Sequence, residues 1–193
     1  FDVFVEYAKG GVEDILVRIS VANRGPEAAS LHLLPTLWFR NTWSWNGREP
    51  KPRLHRLEGT GLTAVEASHH KLGKRRLYCE GTPELLFTEN ETNHGRLDGI
   101  ANGSHFVKDG INDAIVHGVK GAVNAAQIGT KMAAHYQLTI GGGETATVRL
   151  RFTLTNLPVA AEALLTSDFD RVFEDRQREA DEFYATVIPA DLS

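Results

Sequence analysis

An alternation of period two, recurring in short runs broken by turn residues, constrains this chain more than any other feature. The runs Ala134 to Ile140 and Ala146 to Leu154 flank Gly141-Gly142-Gly143, and Val148, Leu150, Phe152 and Leu154 share one face of the second. Successive strand residues point to opposite sides, so the pattern predicts a hairpin with one buried face. Phe1, Val3, Val5 and Tyr7, then Ile15, Val17, Ile19 and Val21, predict a second hairpin about Lys9-Gly10-Gly11, closed by Asn23-Arg24-Gly25-Pro26. Further strand-like runs are Leu62 to Ser68, Arg75 to Cys79, Leu85 to Thr88 and Ala114 to Val119. Many short strands separated by turns imply a mainly β fold, an antiparallel β-sandwich. From Ser167 the period becomes helical: Phe169, Val172, Phe173, Ala180, Phe183 and Tyr184 form one stripe, and Ser167 with Asp170 resembles a capping box. The expected organisation is a sandwich over 1–160, then a C-terminal amphipathic helix and linker over 161–193. The linker, Ile188 to Ser193, reads as a connector within a longer protein, as does a chain that starts at Phe1 already in strand alternation.

Composition narrows the class. A chain of 193 residues, 41% hydrophobic and 24% charged, suits one sizeable soluble core. A net charge of -4 argues against nucleic acid as a partner. The locally basic stretch from Lys51 to Arg76 reads as a solvated face. The single cysteine, Cys79, excludes an intrachain disulfide framework or a cysteine-cluster zinc site and reads as a small buried hydrophobe, which fits a reducing, cytoplasmic location. There is no run of about 18 apolar residues, so no membrane span is expected.

Three segments carry candidate chemistry. All three tryptophans, Trp38, Trp43 and Trp45, fall in the tract Leu33 to Trp45 together with Arg40 and Asn41. Aromatic faces mixed with directional polar groups suit a sugar or a docking domain, while the plainer alternative is core filling. Glu89 and Glu91, in Glu89-Asn90-Glu91-Thr92-Asn93-His94, would lie roughly 7 Å apart on a continued strand, near the spacing of a glycosidase pair. Acids two apart at a strand end are more often a solvated edge. Lys108-Asp109-Gly110-Ile111-Asn112-Asp113 lacks the spacing of a calcium loop and reads as a tight turn. The eight histidines show no ligand spacing, and adjacent His69 and His70 would face opposite sides of a strand. Neither a metal nor another cofactor is expected.

As a set, Phe1–Ala8, Leu31–Trp45, Glu89–Asn93, Lys108–Asp113, Gly129–Tyr136 and Glu182–Tyr184 through Ile188-Pro189 resemble the N-terminal region of large bacterial glucosidases. These belong to the mannosylglycerate-hydrolase-like group related to glycoside hydrolase family 63, and the resemblance covers nearly the whole chain. It implies a β-supersandwich preceding an (α/α)6-barrel that carries the acid and base carboxylates of an inverting hydrolase. No catalytic position of that group maps onto this chain. The expected function is therefore a non-catalytic domain that packs on the barrel of the same parent chain and shapes its substrate pocket, with an oligosaccharide as a shared ligand. The expected carbohydrate or interdomain surface is Trp38, Arg40, Asn41, Trp43, Trp45, Asn90, Glu91, Asn93, Asp109, Asn112, Asp113 and His117. The alternative is a self-sufficient carbohydrate-binding module with an aromatic sugar platform.

Overall fold

A computed structural model describes residues 1–47, 49–155 and 163–189; the tail of the expected linker, 190–193, lies outside the described residues. Two antiparallel sheets face each other. The larger has the order β1 (Asp2–Gly11), β2 (Asp14–Ala22), β11 (Thr145–Leu154), β7 (Gly73–Cys79), β6 (Thr63–His69), β5 (Arg53–Leu57) and β9 (Ile128–Gly129). The smaller centres on β10 (Lys131–Ile140), which pairs with β3 (Ala29–Leu33), β4 (Thr36–Trp38) and β8 (Glu84–Thr88). The register runs without a slip from Leu33 opposite Tyr136 to Thr36 opposite Ala133, and the Ala134 N–H donates to Pro35 O at 3.0 Å. β3 and β4 are thus one line along one edge of β10, with β8 along the other. Four helices complete the described chain: α1 (Trp43–Asn46), α2 (His94–Leu97), α3 (Gly110–His117) and α4 (Ser167–Val187).

Alternation sorts side chains between two cores. Ile19, Val21, Val65, Leu77, Cys79, Val148 and Leu150 meet Leu85, Phe87, Met132 and Ala134 between the sheets. Burial pushes the Cys79 thiol up to about 12, so it stays protonated as an apolar filler. On the outer face of the large sheet, Ala8, Leu16, Ala64 and Tyr78 receive Phe169, Val172 and Phe173 from α4. α4 begins after Thr166, one residue before the expected cap.

Three expectations need correction. The runs about Gly141–Gly143 are strands with the expected faces but form no hairpin: β10 belongs to the small sheet and β11 to the large one. Both present apolar faces to the same core, and the chain arches from one sheet to the other. Buried Asn23 sews this arch to the nearby β2–β3 crossing. Its Nδ2 donates to Ile140 O at 2.9 Å and Glu27 O at 2.7 Å, its backbone N–H donates to Glu144 O, and its carbonyl accepts from the Gly143 N–H. Ala114–Val119 lies mostly within α3 and is not a strand: Ile111 and Ile115, four apart, pack on Leu86 and Ala133 of the small sheet. Gly110 starts this helix because a Cβ there would collide with the carbonyl of Ala122. The basic stretch forms three adjacent strands with Leu54, Val65 and Ala67 buried, while most of its cations lie at the surface as expected and pair with acids, as Lys74 does with Glu66 and Arg75 with Glu13. His69 and His70 do not diverge, because β6 ends at His69 and the two rings stack with centroids 4.6 Å apart.

Buried Arg151 of β11 holds α4 in place. It donates to Asp14 of β2 at 2.6 and 2.9 Å and to Asp168 in the first turn of α4 at 2.6 Å. Removing one partner of a buried pair costs about 3–5 kcal/mol. Arg151→Ala is expected to lose that much in urea denaturation. Asn23→Ala leaves buried carbonyls without their donor and is expected to lose about 1–3 kcal/mol in the same measurement.

Candidate functional site

Beyond β4 the chain stays beside β10, with the Phe39 N–H donating to Thr130 O at 3.0 Å, and then closes one turn of helix, α1, which ends on Gly47 in the left-handed region at φ 63°. That turn divides the tryptophans. Trp43 is only 9% exposed, whereas Trp38 and Trp45 are 54% and 66% exposed. The Arg40 guanidinium lies 5.0 Å from the Trp45 ring centre. Core filling and surface display thus both occur within the tract.

Buried Trp43 points its Nε1–H at Glu91 Oε1, 3.1 Å away. β8 ends at Thr88 and the chain bends at Asn90, yet hydrogen bonds still order the residues that follow. The Glu89 N–H donates to Phe106 O, the Lys108 N–H to Glu91 O, and Asn90 donates through its backbone to Thr130 Oγ1 and through its side chain to Phe39 O. The strand does not continue as expected, but the carboxylates of Glu89 and Glu91 still converge: Lys51 stands between them with Nζ at 3.1 and 2.9 Å. Thr130 Oγ1 donates to Glu89 Oε2 at 2.7 Å. Burial alone would raise the Glu91 pKa, but hydrogen bonds from Lys51 and Trp43 prevail and hold it below the ordinary carboxylate value. Burial would likewise lower that of Lys51, and the two carboxylates raise it instead. A general acid needs a raised pKa, which Glu91 lacks, and the geometry of the two carboxylates is that of a clamp on Lys51.

Asn41, Ser44, Trp45, Asn90, Glu91, Thr92, His94, Gly103 and Lys108 line an open, largely polar cleft of about 460 Å³. Beneath it, Asn93 caps α2: its Oδ1 accepts from the Arg96 and Asn102 nitrogens, and its Nδ2 donates to the Asp109 carboxylate. Asp109 and Asp113 in turn grip Arg96 at 2.7 and 2.8 Å. Asp109 is the residue that precedes α3, so the expected tight turn is a helix start. Of the expected surface, Asn41, Trp45, Asn90 and Glu91 line the cleft, Trp43 holds Glu91 from behind, and Asn93, Asp109 and Asp113 brace its floor. Asn112 instead lines a separate groove with Leu34, Ile115 and Lys131. Trp38 faces solvent opposite Lys131, and His117 is exposed at the far end of α3. Sequence reasoning missed Lys51 and Thr130, and it held Lys108 and His94 only as members of candidate segments. The two closely spaced acids, which call for a cation once half-buried, were the available signal for Lys51. Among the described residues no three His, Cys, Asp or Glu side chains gather as metal ligands, and no helix is long and apolar enough to cross a membrane.

No family model matches the chain. It is similar, at 32% identity over 230 aligned residues, to the uncharacterized protein YMR196W of Saccharomyces cerevisiae. All of the chain takes part in that alignment, and it covers 21% of the yeast protein. The chain thus spans about a fifth of the length of the curated relative it matches.

Lys51→Met tests the clamp. Glu91 then titrates at a higher pH than in the wild type, read from its carboxyl carbon by NMR. Because the folded pKa of Glu91 is depressed, its contribution to stability is present above the ordinary value of 4.5 and is lost as pH falls through the folded value. In Lys51→Met this acid-side loss is expected to shrink.

Proposed function

We propose that this chain is a non-catalytic β-sandwich domain of a glycoside hydrolase, an α-glucosidase or a close relative, which packs on the catalytic (α/α)6-barrel of the same polypeptide. The observation that carries this reading is the cleft itself. An exposed Trp45 ring stands beside an ionised Glu91 and the amides of Asn41 and Asn90, the mixture of flat apolar face and hydroxyl acceptors that a pyranose requires. The two nearby carboxylates are taken up by Lys51, which favours a wall of a substrate pocket over a catalytic centre. Alignment to a fifth of a much longer relative leaves room for a catalytic domain in such a protein. The second half of α4 exposes Phe183, Tyr184 and Val187, an apolar stripe suited to contact with another domain.

In the parent enzyme, Trp45→Ala is expected to raise KM for an oligosaccharide by up to about tenfold with kcat little changed, the worth of one stacking contact. An unchanged KM overturns a role for the cleft in the pocket. Turnover of an aryl α-glucoside by the 193-residue chain on its own would refute the non-catalytic reading. Exposure of Trp45 also favours a second reading, a self-sufficient carbohydrate-binding module. Millimolar or tighter binding of gluco- or manno-oligosaccharides in titration calorimetry, lost in Trp45→Ala, would select it.

A further inference from the structure

The sandwich is closed along one side and open along the other. At the closed side the chain itself passes from β9 of the large sheet into β10 of the small one, and the Thr130 N–H donates to Thr88 O of β8. At the open side both sheets end in bare edges: among the described residues β1 pairs only with β2, and no strand pairs with the outer edge of β3. The seven strands of the large sheet are faced by only three strand positions of the small one, namely β8, β10 and the β3–β4 line. The shortfall leaves an apolar groove of about 470 Å³ between β1 and β2 on one wall and Leu33–Leu37 on the other. The inward residues of β1 are left in water there, with Val5 47% and Tyr7 71% exposed. Lys9 and a bulge at Lys9–Gly11 blunt the far end of β1, but from Val3 to Tyr7 the edge carries no proline and no bulge, and its acids turn to the other face, Glu6 pairing with Arg18, so this stretch is open to coverage.

We propose that a β-hairpin from elsewhere in the same polypeptide pairs with the free edge of β3 and lays an apolar face over Val3, Val5, Tyr7 and Ile15. Neighbouring strands lie about 4.8 Å apart, so covering β1 and β2 takes about two strands, which is a hairpin. The yeast relative has residues to supply one: its aligned stretch runs to 230 positions against 193 here, and most of its length lies outside the alignment. A second copy of this chain fits less well. Antiparallel pairing of β1 with β1 has its two-fold axis perpendicular to the sheet, so both grooves open on the same side and the apolar surface widens. The proposal rests on the proposed function only in placing the chain within a longer polypeptide, and it stands whatever that polypeptide catalyses.

Hydrogen exchange, measured without sugar or activity, tests it. Amides of Ala29–Leu33 that face away from β10 are expected to exchange at least ~100-fold more slowly in the natural polypeptide than in the 193-residue chain. Val5→Lys is expected to abolish that protection while leaving the circular dichroism and Tm of the 193-residue chain unchanged. Equal exchange in both proteins overturns the proposal, as does a natural polypeptide no longer than this chain. A 193-residue chain that sediments as a dimer with β3 already protected also overturns it and makes a second copy the occupant.

Discussion

The side chain of Asn23 joins the two places at one end of the sandwich where the chain leaves one sheet for the other. β2 gives way to β3 just after it, and β10 gives way to β11 at the Gly141–Gly143 arch whose carbonyls it binds. A buried amide that satisfies both crossings fixes how the sheets are offset. β10 carries that constraint across the molecule. It runs ten residues from Ile140 at the arch to Lys131 at the cleft, roughly 33 Å at strand rise. Thr130, which orders both Glu89 and Asn90, therefore stands where it does because the arch sets the register of β10 against β3, β4 and β8.

One arrangement recurs. Arg151 is held by Asp14 and Asp168, Lys51 by Glu89 and Glu91, and Arg96 by Asp109 and Asp113. Each joins segments through a cation held by two carboxylates: two strands to a helix, the run after β8 to the segment before β5, and α2 to the start of α3. Paired acids that suggest catalysis by spacing are here the fasteners of the fold. Their energetic weight differs with burial, from the enclosed Arg151 to the solvent-exposed Arg96. What is left for a ligand is the outer face of the Glu91 clamp together with Trp45.

Period-two alternation made most strands legible, since an antiparallel sheet wet on one face writes its pleat into the sequence. It could not name their partners. The arch between β10 and β11 has the same local signature as a hairpin, a glycine-rich turn between two alternating runs, and only the apolar faces turned toward each other across the core distinguish the two. β5 escaped notice because Leu54 alone is buried among charged neighbours, and α3 was misread because a short apolar run fits a strand or a helix equally. At the cleft, the tryptophan tract and the Asn90–Asn93 segment were readable because such residue types are uncommon together. Lys51 was not, because its partners come from a segment some forty residues away.

The two open surfaces differ in a way that bears on what each meets. The cleft is polar, its Glu91 already pairs with Lys51 and its Lys108 ammonium donates to the Thr92 hydroxyl, and water can replace a ligand there at little cost, which suits contacts that form and break. The groove beside β1 is walled by valine, leucine, isoleucine and tyrosine with bare backbone edges on both sheets, so every interval without an occupant leaves apolar area in water at about 25 cal/mol per Å². A surface of that kind favours a permanent neighbour, and antiparallel edges select one that is itself a strand. On the proposals made above, the polar cleft meets exchangeable ligands and the groove a permanent strand.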